Sequence, residues 1–362
     1  MGPRLNSKTI YIASIVVAAL VFLAEKLLEP GVGGALTITL AVFIGLAEGA
    51  TVLMAGAEIS DGHWHRQLLP GAGALHCILP ATVLLFLVNI PQFAMYPWWE
   101  SHGVWFNQPF FIGRNVVFLL LMFVLCRVFM VNALRGSSRT NFWAVVLVIA
   151  FVWHLSMIGI EWFMSIERPW FSTLLGGFVM VSAFLSGICV LTLIIYSWRT
   201  RSDGPAKLIQ KSMGGLVFGF ATFWAYFFFS QLIVIWYGNI PEETHYLVRR
   251  VGPHSPYSLV SKLIFIMVWM FPFAVLLSRK NKTRAWVTSA LSIIILTGVT
   301  MMYWLMLAPV IPVSIPLLVI EMGLMALLTV AAVRSREALM PALAGPVPAE
   351  EHGHGHVAAE SH

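Results

Sequence analysis

The stretch Phe223–Arg250, FWAYFFFSQLIVIWYGNIPEETHYLVRR, joins two kinds of sequence. Its first half continues an apolar helix long enough to cross a bilayer, and it carries Ser230 and Gln231 toward the far end of that helix. The helix then breaks at Gly238-Asn239, and Pro241 cannot continue it. Asn239, with Glu242 three residues on, is placed to cap a new short helix that tolerates Pro241 in its first turn. A membrane span therefore hands over to a surface helix that opens on Glu242-Glu243 at one bilayer face. That reading sets the fold class.

The rest of the chain agrees. Its 362 residues are 59% hydrophobic and 10% charged, against about 25% charged in a soluble domain. Apolar runs of about twenty residues recur, each able to span a hydrocarbon core roughly 30 Å thick. The pattern predicts an all-α polytopic membrane protein of ten spans, near 9–28, 35–57, 72–90, 110–131, 143–164, 172–198, 213–237, 257–278, 285–307 and 313–333. Residues 1–333 form one transmembrane domain. The Ala-, Pro-, Glu- and His-rich stretch 334–362 reads as a disordered tail. The run Tyr11–Leu23 lacks a small-residue cleavage site before Glu25-Lys26 and reads as a retained first span.

Fifteen of the 22 lysines and arginines fall on the side that carries both termini, and six on the other. The positive-inside rule then puts both termini in the cytoplasm and accounts for the net charge of +6 without nucleic acid. The opposite side is aromatic: Trp98, Trp99 and Trp105 crowd the loop between spans three and four. Such rings suit the headgroup level, and equally a docking surface for another protein. The three cysteines form no C-x-x-C pair, and no C-x-x-C-H haem-attachment motif occurs. Nucleotide fingerprints and Ser/His/Asp arrangements are likewise not seen.

Ionisable groups inside a bilayer are expensive and mark function. Candidates within spans are Glu48 in span two, His154 and Glu161 in span five, and Glu321 in span ten. His154 and Glu161 are seven residues apart, two helical turns, which places them on one face about 10 Å apart. These groups suit a proton relay; hydrogen bonding that fixes helix packing is the alternative. Ser230, Gln231 and Asn239 are candidate polar contacts for a ligand, and Glu242 and Glu243 join the tryptophans as candidate docking residues. His76 and His154 differ in depth by about 10 Å, which argues against a haem held between them. The loop around Asp61, His63 and His65 offers too few ligands for a metal site. Arg127, near a span end, reads as a snorkelling side chain.

Two motifs carry a resemblance. Tyr226, Ser230-Gln231, Trp236, Asn239 and Pro241-Glu242-Glu243 resemble the F subunit of bacterial alternative complex III, a NrfD-like membrane subunit of a quinol:electron-acceptor oxidoreductase. So does the stretch Glu161-Trp162-Phe163-Met164-Ser165-Ile166-Glu167 followed by Trp170, Ser172-Thr173 and Gly176. The family reads D-W-x-M-S-L-D-P-x-W-x-S-T there; this chain has Glu161 and Glu167 in place of the aspartates, and Arg168-Pro169 in place of the proline and its successor. The resemblance implies two four-helix bundles, spans two to five and six to nine, flanked by one helix each. It implies a scaffolding subunit in a bacterial cytoplasmic membrane, with a proton path or a quinone contact as added roles and no cofactor bound by the chain itself. The partners it implies are a sister NrfD-like anchor, an iron–sulfur and molybdopterin-enzyme-like peripheral subunit, cytochrome c subunits carrying haem c, and small membrane subunits. Two other readings fit the span count: a proton-coupled secondary transporter, and the quinol-oxidising anchor of a polysulfide- or nitrite-reductase-like enzyme.

Overall fold

The computed structural model describes residues 6–28, 33–101, 103–198 and 205–339. Arg4, Arg199, Arg201 and the histidines of the expected tail lie outside the described residues. Helices account for the regular structure, with no strand among the described residues. Ten are long and apolar enough to cross a membrane: Lys8–Leu28, Ala35–Ile59, Trp64–Met95, Gln108–Arg135, Thr140–Met164, Leu175–Ser197, Ile209–Gly238, Ser258–Leu276, Ala285–Leu307 and Ile315–Arg334, called spans one to ten below. The protein is an all-α polytopic membrane protein.

Span two is buried from Ala35 to Ala55, as expected of a helix that is apolar and small-residued all round. Gly45-x-x-x-Gly49 lets span six approach it closely. A Cβ on Gly49 would lie 2.6 Å from the Ala183 carbonyl oxygen, and one on Gly187 would lie 2.3 Å from the Ala50 amide nitrogen. Without a hydrophobic drive between helices in lipid, such small-residue seams are how backbones come into contact. Spans two to five pack against one another, spans six to nine do the same, and the span two–span six seam joins the two groups.

Spans one and ten depart from the expected one-helix-per-bundle arrangement. They touch each other, and together they lie against spans two and three. Polar contacts explain why, since Glu25 of span one meets Gln92 and Glu321 of span ten meets Thr39. Span three is segmented where Pro70, Pro80 and Pro91 each remove a backbone donor, giving Leu69–His76, Leu79–Asn89 and 3-10 turns on either side. The expected tail starts late: the chain stays helical through 336–339, where Leu339 is fully buried.

The break after span seven falls where the sequence puts it. Asn239 is left-handed, with φ 48°, and Pro241 opens a helix running to Val251. Ile240, however, takes the capping position, and no side chain caps this helix. An Asn239 in the left-handed region terminates span seven and is one residue too early to cap the next helix.

Candidate functional site

The motif 161–167 lies at the aromatic end of the molecule and reaches into both bundles. It begins in a wide-turned segment, Gly159–Met164, that ends span five with i→i+5 hydrogen bonding. Glu161 is buried and pairs with Arg114 of span four at 2.7 Å. The Asn115 amide donates to Glu161 at 3.0 Å and its carbonyl accepts from the Trp162 indole at 2.9 Å. Trp105 and Phe110 cover the Arg114 guanidinium at 4.2 and 4.5 Å. Ser165 accepts from the Trp98 indole at 2.7 Å and donates back to the Glu161 carbonyl at 2.6 Å.

Glu167 reaches the other way. It is the acceptor for Arg250, at the end of the 241–251 helix, with Arg249 a further 3.6 Å contact. Arg250 is buried and also donates to the carbonyls of Leu305 and Met306 in span nine, at 3.2 and 2.9 Å. Tyr246 lies under its guanidinium at 3.8 Å and stacks on Trp170 with ring centroids 3.6 Å apart. Burial raises the Tyr246 phenol above its ordinary pKa, with Arg250 opposing, so the hydroxyl remains protonated at neutral pH. Glu161 thus ties the motif to the first bundle and Glu167 ties it to the second.

Beside this junction is a pocket of about 70 Å³, walled by Phe178, Phe228 and Met302 and headed by Gln231, Tyr246 and Arg250. The Gln231 side-chain nitrogen is buried there without a hydrogen-bond partner. Ser230 and Asn239 are not among the pocket's lining residues; Ser230 is half-buried and Asn239 is exposed. Of the docking candidates, Trp105 and Glu242 are exposed, and Trp99 and Glu243 are partly so. Trp98 is the exception. It is fully buried with its indole committed to Ser165, so it offers no surface to a partner.

The relay candidates do not form one chain. His154 Nδ1 meets Glu48 at 3.0 Å across spans five and two, both buried, while Glu161 is engaged by span four. The i, i+7 argument assumed a regular helix, and the wide-turned segment between His154 and Glu161 breaks that register. Glu321 accepts from the Thr39 hydroxyl at 3.1 Å and lies against Glu25, a residue the sequence reading passed over as the edge of span one. Gln92 donates to Glu25, and its carbonyl accepts from the Gly34 amide at 3.0 Å. Two carboxylates in contact repel each other, and a proton shared between them relieves the repulsion. The sequence gives no signal for this contact, since a carboxylate beside Lys26 at a span end normally faces water. His65 pairs with Glu58 at 2.7 Å, and no group of three or more potential metal ligands occurs among the described residues.

No family model matches the chain, and no curated protein matches it.

Proposed function

We propose that this chain is the NrfD-like, F-type membrane subunit of an alternative-complex-III-like quinol:electron-acceptor oxidoreductase, acting as a scaffold in a bacterial cytoplasmic membrane with both termini in the cytoplasm. One observation supports it above the others. The two separated segments that carry the family resemblance meet at one end of the bundle, through Glu167–Arg250 and Trp170–Tyr246. Glu167 and Arg250, 83 positions apart, tie the segment that carries one motif to the helix that follows the other, which supports a common structural role at that face. The exposed Trp105 and Glu242 lie on that same side, where a peripheral iron–sulfur subunit and cytochromes c would dock.

The pocket limits the chemistry. It is partly open and mainly apolar, with Gln231, Tyr246, Arg250 and Ser261 as its polar lining. Gln231, whose buried side-chain nitrogen lacks a partner, offers a donor there to a polar group. Quinol oxidation itself belongs to the sister anchor in this reading. The Glu48–His154 pair is the group best placed to exchange protons, because it joins a carboxyl and an imidazole in direct contact near mid-membrane.

Purification from native membranes tests the assignment. The expected result is a preparation with c-type haem absorbance and iron–sulfur and second-anchor subunits identified by mass spectrometry. A colourless, single-subunit preparation would overturn it in favour of a proton-coupled transporter.

A further inference from the structure

At the arginine-rich end, spans one, three and four leave an open groove of about 360 Å³ lined by Tyr11, Pro80, Phe123 and Arg127. Arg127 lies eight residues, or about 12 Å, inside the end of its helix at Arg135. Two other arginines, Arg114 and Arg250, have buried side chains, and each is matched by a glutamate. Arg127 is not. Its guanidinium interacts with the Tyr11 hydroxyl, and no carboxylate pairs with it among the described residues.

A guanidinium presents five donors in a planar fork, and one hydroxyl satisfies few of them. The polar surroundings are just as short of partners. His76 stacks on Phe123 at 4.8 Å, is fully buried, and has no hydrogen-bond partner at either ring nitrogen. On span one, Lys8 stands one turn toward the membrane surface from Tyr11, on the same helix face and exposed. The neighbouring outward face of that helix is apolar, with Ile12, Ile15 and Val16 all exposed. The groove therefore combines an unmatched cation, a hydroxyl donor and an apolar flank.

We infer that this groove binds an anionic phospholipid of the arginine-rich leaflet. Arg127 grips the phosphate as a bidentate fork, the Tyr11 hydroxyl adds a donor, and Lys8 faces the headgroup. The acyl chain runs down the apolar flank of span one. An anion with an apolar body is what this site lacks, and basic pockets between spans on the cytoplasmic side recognise such headgroups. A zwitterionic lipid offers the same phosphate, but its own cation competes with Arg127 for it.

The test uses the full chain in detergent, titrated with phosphatidylglycerol or phosphatidylcholine and read by native mass spectrometry as lipids retained. Parent protein should retain at least one phosphatidylglycerol that resists delipidation, in preference to phosphatidylcholine. Arg127→Gln should weaken that retention about tenfold or more. Arg279→Gln, which removes an exposed arginine from the same side, should leave it unchanged. Should Arg127→Gln fail to fold, Tyr11→Phe removes one donor and should weaken retention a few-fold. Equal retention of the two lipids by the parent would overturn the inference, as would undiminished retention in folded Arg127→Gln or, failing that, in Tyr11→Phe. Inorganic phosphate alone should not displace the lipid; displacement would mean a free-anion site instead.

Discussion

Replacing Glu167 with glutamine isolates the junction between the two motifs. Glu167 and Arg250 are both nearly fully buried, so the substitution leaves a guanidinium out of water with its counter-charge gone. Breaking a buried pair from one side costs about 3–5 kcal/mol. Two features put this case at the lower end. Arg250 retains the Leu305, Met306 and Tyr246 carbonyls, and it retains the Tyr246 ring. Glutamine can still accept one neutral hydrogen bond. The expected loss is about 3 kcal/mol.

Arg249 provides the internal contrast. It reaches the same carboxylate at 3.6 Å, but its side chain is 41% exposed, so Arg249→Gln should cost less than about 1 kcal/mol. Replacing both Glu167 and Arg250 with apolar residues should cost less than the two single changes added, because neither charge is then left alone. Denaturation in detergent micelles, followed by tryptophan fluorescence, measures all of these; Trp170 stacks on Tyr246 beside the pair and reports the region directly. A Glu167→Gln variant within about 0.5 kcal/mol of the parent, or an Arg249→Gln variant equally damaged, would refute the reasoning.

Gly187→Ala should destabilise by up to about 3 kcal/mol, since its Cβ would meet span-two backbone at 2.3 Å and backbone cannot yield. Gly215→Ala, in an open position of span seven, should instead stabilise by about 0.5–1 kcal/mol; the same denaturation assay reads both signs. Glu48→Gln should fold and assemble normally, because a neutral amide oxygen still accepts from His154. If the pair exchanges protons in an assembled complex, that variant should lower proton release per quinol oxidised at unchanged haem content. Unchanged release would leave Glu48 a packing residue.

The spans could be read because lipid acts on each helix locally: a run of apolar residues declares itself whatever it packs against. Gly238, Asn239 and Pro241 were legible for the same reason, since a left-handed residue and a missing donor are properties of a few neighbouring residues. What the sequence hid was pairing over distance. His154 and Glu48 are 106 residues apart, and Glu161, in the wide-turned segment, is engaged by Arg114 and Asn115 of span four. Trp98 had looked like surface, yet a serine four residues from Glu161 gives its indole a buried acceptor. Glu25 passed unnoticed because a carboxylate beside a lysine at a helix end normally faces water.

These pairings change which residue is informative about proton movement. Glu161 sits in a motif that carries the resemblance, which makes Glu161→Gln the natural experiment from sequence. In the folded protein that change removes the counter-charge of Arg114, whose guanidinium is otherwise enclosed by Trp105 and Phe110. A loss of activity would then follow from a disturbed junction as readily as from a lost proton, and the two causes would be indistinguishable. Glu48 has no arginine to strand. Its partner is an imidazole that can become neutral by giving up its proton, so the pair can exchange charge without leaving an ion unmatched. The carboxylate outside the motif is therefore the one whose neutral replacement separates transport of protons from the packing of helices.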